Sequence, residues 1–188
     1  MRLIHTPARL ALALALVLAP GCSDSEYTNA SCYFVFDTSI HNTSIIKNAL
    51  DPNIKGIFVR VSTGVKGDVR YVRAELGTGQ TEETRITTAE ETRVTYQLGR
   101  YNEAGLIIGY PTFGDRLYAY DALCPNCFKN SLYRILSFSN NGAWAYCGTC
   151  KRAYDLNNGG VVAQGDHGDK LERYANVTYT GTRLFVAN

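Results

Sequence analysis

The chain is 188 residues long, with 45% hydrophobic residues, 19 lysines and arginines against 17 acids, and six cysteines. Its length suits one domain with a sizeable core, and the near balance of charge excludes the basic footprint of a nucleic-acid-binding protein. The N-terminal stretch MRLIHTPARLALALALVLAPG sets Arg2 and Arg9 before an unbroken apolar run from Leu10 to Ala19. That run is too short for a permanent membrane span and has the make-up of an export signal. Removing residues 1–21 takes away two arginines and no acid, leaving 17 of each sign and a net charge of zero.

Ala19 and Gly21 directly before Cys22 resemble a bacterial lipobox, although Leu18 stands one place further upstream than the usual leucine and Pro20 is atypical. The resemblance implies cleavage before Cys22, acylation of its sulfur and a lipid anchor without a spanning helix. A plainly cleaved secretory signal is the alternative. Residues 22–32, with the small polar run SDSEYTNAS after Cys22, are expected to form a lipidated flexible tether. Ser23 after the anchor fits sorting to the outer membrane, with the periplasmic or surface side left open.

From residue 33 onward the chain is rich in Tyr, Val and Thr and punctuated by glycines, a composition that favours short strands. An all-β domain is expected over 33–188. A short helix is predicted first, over 43–50, where TSIIKNAL spaces Ile45, Ile46, Ala49 and Leu50 along one face before Pro52. Alternation then predicts strands at 56–63, 69–76, 92–98, 105–110, 116–122 and 183–187, separated by turn signals such as TGVKGD, GTGQ and YNEAG.

The main chemical signal is CPNC, Cys124 to Cys127, followed after 19 residues by CGTC, Cys147 to Cys150. Two C-x2-C loops at this spacing can turn four sulfurs toward one point, forming a tetrathiolate site with Zn about 2.3 Å from each sulfur and no open coordination position. The intervening LYRILSFSNNGAWAYC reads as a hairpin turning at Ser139-Asn140-Asn141-Gly142, which would bring the loops together. Disulfides are the competing use of these cysteines in an oxidising compartment.

GDRLYAYDALCPNC (114–127) and AYCGTCKRAYDLNNGGVV (145–162) together resemble the two cluster loops of Rieske iron–sulfur domains, and LERYANVTYTGTRLFVA (171–187) looks like the closing strand pair of that fold. The resemblance is strongest from 105 onward. It implies a Rieske-like antiparallel β sandwich or barrel with a rubredoxin- or zinc-ribbon-like two-knuckle metal subdomain at about 118–165. The four-cysteine form on a lipoprotein is similar to proteins of Bacteroides-type bacteria. Cys124 and Cys147 match the two Rieske cysteines, and Cys150 falls where the second histidine stands. The first histidine position holds Asn126, with Cys127 one residue later, and the mature chain has only His41 and His167. A two-histidine cluster, whose imidazoles raise the potential, is therefore not available at these loops. Tyr154 and Asp155 take the family's Phe-Asp position, implying an aromatic packed under the second loop and an acid accepting backbone N–H bonds. The proline-rich loop that often shields the cluster is replaced by QGDHGDKLERY (164–174).

Cofactor candidates at Cys124, Cys127, Cys147 and Cys150 are Zn, then a single Fe, then an all-thiolate 2Fe–2S cluster. Zn implies a structural or accessory module; iron implies a one-electron carrier with a redox partner; disulfides imply a metal-free, stapled interaction protein. Lys129, Lys151 and Arg152 could offset thiolate charge, though they read more simply as surface cations. Cys32 reads as a buried small hydrophobe, GDHGD around His167 as a polar turn, and Trp144 and Tyr146 as core. No nucleophile elbow, phosphate loop or Ser/His/Asp arrangement points to an enzyme.

Overall fold

The computed structural model describes residues 26–188; the predicted signal segment and Cys22 lie outside the described residues. In chain order the elements are β1 (Tyr33–Asp37), α1 (Ser44–Ala49), β2 (Phe58–Lys66), β3 (Val69–Leu76), β4 (Thr81–Arg85), α2 (Ala89–Arg93), β5 (Leu106–Gly109) and β6 (Tyr118–Asp121). There follow α3 (Pro125–Phe128), β7 (Ser137–Ser139), β8 (Trp144–Tyr146), β9 (Ala153–Asp155), β10 (Val161–Gln164), β11 (Asn176–Tyr179) and β12 (Arg183–Ala187). The described chain is thus mostly β, in three antiparallel sheets: β4-β3-β2-β5-β6, β1-β12-β11 and β10-β9-β8-β7. Among the described residues no helix is long and apolar enough to cross a membrane.

Within the five-stranded sheet, β5, β6 and the first half of β2 are buried on both faces, which explains the continuous apolar run LIIG of β5, whereas β3 and β4 lead out to an exposed edge. Val59, Val61, Leu106, Ile108 and Ala119 point into one core with Phe34, Phe36, Leu184 and Val186 of the three-stranded sheet. Their neighbours Phe58, Ile107 and Tyr120 point the other way, into a second core with Ala145, Tyr154 and the cysteine loops. Period-two alternation therefore sorts adjacent residues of one strand between two cores. Full burial of each large side chain contributes about 1.5–3 kcal/mol. The first core closes last in sequence terms, because Tyr33 of β1 pairs with Ala187 of β12.

The predicted bounds match β3 and β12, and α1 forms where expected, with Thr43 as its N-cap: the Thr43 hydroxyl accepts from the Ile46 N–H. Two further one-turn helices, α2 and α3, were not anticipated. The strand expected at 92–98 does not form; only an isolated Tyr33–Gln97 bridge remains there. Thr88 instead caps α2 by accepting from the Glu91 N–H at 3.1 Å. The Glu91 carboxylate is buried, bonded at 2.6 Å to His41 Nε2 and accepting from the Asp37 N–H. That buried network holds the turn against the β propensity of TRVTY. Conversely, TEETR forms β4 with no apolar residue, as an exposed edge whose Glu83 pairs with Lys66 and Arg73, a charged edge of the kind that resists further strand addition.

Two features position the small sheet. Asp121, at the end of β6, accepts from the Leu123 and Arg100 N–H groups and the Tyr174 hydroxyl, all at 2.9 Å, fixing where the chain leaves for the first cysteine loop. At the opposite end, the β7–β8 turn meets the β3–β4 turn backbone to backbone: a Cβ on Gly77 would lie 2.1 Å from Gly142 Cα. Of the stretch 22–32 expected as tether, the described residues are tied to the domain from Glu26 onward, beginning with its ion pair to Arg173. The Thr28 N–H donates to Arg173 O, and the Asn188 amide donates to Ala30 O.

Candidate metal centre

The first cysteine loop lies between β6 and β7. Cys124 is extended and serves as N-cap of α3, with Pro125 at the first helical position, where its fixed φ and missing N–H cost nothing. The Cys124 N–H donates to Arg134 O at 2.8 Å and the Phe128 N–H to Cys124 O at 3.0 Å, folding the loop into a knuckle. The second loop joins β8 to β9. There the Lys151 N–H donates to Cys147 O and the Cys147 N–H to Arg152 O, each at 2.9 Å, while Lys151 takes a left-handed φ of 62° to close the turn. Pairing of β7 with β8, as expected for SNNG, brings the loops together, although the turn is a short 3-10 segment over Asn140–Gly142.

The four sulfurs converge within 4.8 Å of one another. Two pairs cross between knuckles at 3.6 Å each, Cys124 with Cys150 and Cys127 with Cys147. A Zn–S bond of about 2.3 Å implies tetrahedral sulfur–sulfur edges of about 3.8 Å, so the cage is close to the size one ion requires. Both separations far exceed a disulfide's length of about 2.05 Å, and all four cysteines are free thiols here. Cys124, Cys127 and Cys147 are buried and Cys150 is half-exposed. Burial pushes the Cys124 thiol up to about 11 and raises Cys127 further. Cys150 feels burial too, but the Arg152 backbone N–H and guanidinium and the neighbouring thiols outweigh it and bring it down to about 6.

The surrounding side chains orient the ligands. The Tyr154 hydroxyl lies 3.2 Å from Cys124 Sγ and accepts from Asn126 Nδ2 at 2.9 Å, leaving its own hydrogen for the sulfur. The Asn126 amide also donates to Asp169 O at 2.8 Å and accepts from the Asp169 N–H at 2.9 Å. Arg152 donates from Nε to Asp166 O and from a terminal nitrogen to His167 O. The segment 165–169 is therefore tied to both knuckles, through Asn126 of the first and Arg152 of the second.

The other residues singled out from the sequence, Cys22, Ser23 and the segment before them excepted, are also placed. Asp155 accepts from the Asn157 N–H, and Tyr154 is fully buried. Lys129 pairs with Asp169, Lys151 is exposed, and only Arg152 faces a ligand sulfur. Cys32 is buried in the first core, away from the cage, and burial pushes its thiol up to about 12. His167 is exposed in its turn; Trp144 and Tyr146 are half-buried on β8. Among the described residues, no other group of three or more His, Cys, Asp or Glu converges. Sequence reasoning missed the clamp role of Asn126 and the thiol contact of Tyr154; the hydroxyl of Tyr154, close in sequence to the second knuckle, was the one available signal.

No protein-family profile, curated protein or solved structure matches the chain.

Proposed function

We propose that the protein is a Rieske-like β domain of a bacterial envelope, anchored by an acylated Cys22, that holds one metal ion on Cys124, Cys127, Cys147 and Cys150. Zn is the favoured ion. The observation that carries this reading is the mutual approach of the four sulfurs to within 4.8 Å. A dinuclear cluster would put a second iron between two sulfur pairs and spread them, so this cage favours a single ion. Four thiolates close the coordination shell, leaving no position for substrate. With Zn the ion ties the two knuckles and the 165–169 segment into one rigid surface, and the domain serves as an accessory or binding module. The Rieske-like part of the reading is supported by the two loops lying side by side on a small sheet against a larger one, with Tyr154 packed beneath them.

A second reading, a one-electron carrier with a single iron, is favoured by the Tyr154 contact to Cys124 Sγ, since hydrogen bonds to ligand sulfurs set the potential of iron–thiolate centres. The test is anaerobic purification of the full chain, followed by Zn, Fe and labile-sulfide content, the absorption spectrum and the free-thiol count. Stoichiometric Zn without visible bands supports the first reading. Iron with charge-transfer bands and reversible reduction supports the second. Bridges such as Cys124–Cys150 and Cys127–Cys147 without metal would overturn both and leave a disulfide-stapled interaction protein.

A further inference from the structure

Most exposed large apolar side chains are scattered singly, but Leu132, Tyr133 and Ile135, 41%, 53% and 40% exposed, follow one another on the segment leaving the first knuckle. The segment is held firmly. The Leu132 N–H donates to Cys127 O at 3.1 Å, Ser131 takes a left-handed φ of 58°, and the Tyr133 ring packs edge-on against Phe128 and Tyr101. Arg134, exposed, lies within the same run. Exposed apolar residues following one another on a tied-down segment, with a cation among them, suit a contact surface.

The N-terminal end of the described chain is linked to this segment through shared neighbours. Glu26 forms an ion pair with Arg173, whose guanidinium stands 5.0 Å from the Tyr27 ring. Glu26 also lines a cleft of about 430 Å³ together with Arg100 and Lys129. Arg100 in turn stacks 5.0 Å from the Phe128 ring, which supports Tyr133. Cys22 precedes Glu26 by four residues, and four residues of extended chain reach at most about 14 Å.

We infer that in the lipid-anchored protein the bilayer surface is the occupant of this apolar face, with Leu132, Tyr133 and Ile135 inserted at the level of the headgroups. This rests on the proposed acylation of Cys22. An anchor so close raises the effective concentration of lipid at the face, so a shallow insertion too weak to bind alone becomes occupied. Tyrosine suits the interface, and Arg134 suits lipid phosphate. The first knuckle then faces the membrane.

The test uses the full chain, processed in a bacterial host and reconstituted in phosphatidylethanolamine–phosphatidylglycerol vesicles containing brominated acyl chains. Trp144→Phe removes the sole tryptophan, and Tyr133→Trp or Phe113→Trp then supplies one reporter; Phe113 is 86% exposed on the β5–β6 connection, at the other end of β6 from the cysteine loop. Bromine quenching at position 133 should exceed that at 113 by roughly twofold or more, with a blue-shifted emission. The mass of the mature protein reports acylation separately. Acylated protein with equal quenching at both positions overturns the insertion and leaves the anchor standing. Protein without acyl chains refutes the anchor, and the insertion with it. A blue shift at 133 without bromine quenching, accompanied by concentration-dependent dimerisation, would show a second copy on the face and overturn the lipid assignment.

Discussion

The Tyr154 hydroxyl stands between Asn126 Nδ2 at 2.9 Å and Cys124 Sγ at 3.2 Å, so one buried phenol links the first knuckle's amide to its sulfur. Tyr154→Phe removes that link while keeping the ring that fills the second core. Loss of a bond that orients a metal ligand typically costs 10- to 100-fold in metal affinity, so about a tenfold or greater rise in metal loss to a chromophoric chelator is expected. An unchanged rate would show that the hydroxyl contributes nothing to the site.

Asn126→Ala should release the 165–169 segment without removing a ligand. The Asp169 N–H loses its acceptor, and because this bond is exposed to solvent the expected cost is about 0.5–1.5 kcal/mol. Hydrogen exchange provides the measurement: the Asp169 amide should lose protection while amides of β2 and β3 keep theirs.

Cys150 gives the metal-free protein a distinct pH response. Its folded-state value of about 6 lies below the ordinary 9.0, so between these values the unfolded chain binds more protons. Its contribution to stability is complete above pH 9, declines below that and is lost as pH falls through 6. In the same protein, half-exposed Cys150 should be the first thiol alkylated by iodoacetamide, with a rate that rises through about pH 6. Peptide mapping identifies the labelled cysteine, and adding stoichiometric metal should suppress the reaction.

Gly99→Ala should be strongly destabilising. Gly99 has a φ of 74°, and a Cβ there would lie 2.5 Å from the Asp121 carboxylate and 2.8 Å from the Tyr174 hydroxyl. The combined strain and disruption of a buried polar network predict a loss of about 2–4 kcal/mol in urea unfolding.

Glu91→Ala leaves His41, Thr88 and the Asp37 N–H without their shared acceptor. Leaving several buried hydrogen-bonding groups without their acceptor costs about 2–4 kcal/mol. Because the His41–Glu91 pair belongs to the first core, metal stoichiometry of the remaining folded protein should stay unchanged; altered stoichiometry would show that the two cores are coupled.

The parts legible in the sequence were those governed by local rules. VRYVRAEL and RLFVA alternate and form β3 and β12; the two C-x2-C pairs carry their own turn geometry, so their convergence could be anticipated. TEETR carried no apolar signal because it is an edge strand stabilised by charge pairs across the sheet. TRVTYQL had the composition of a strand, yet Glu91's burial against His41, 50 residues away, decided otherwise. Asn126 could not be recognised as a clamp because its partner, Asp169, is 43 residues distant.

The antiparallel pairing of Tyr33 with Ala187 has a kinetic consequence. A contact between segments so far apart in sequence carries a large loop-closure cost and slows folding. As synthesis proceeds from the N-terminus, β1 has no strand of its sheet to join until β12 emerges. Until β12 is made, the core that it shares with β1 stays open, whereas the cysteine loops belong to the other core.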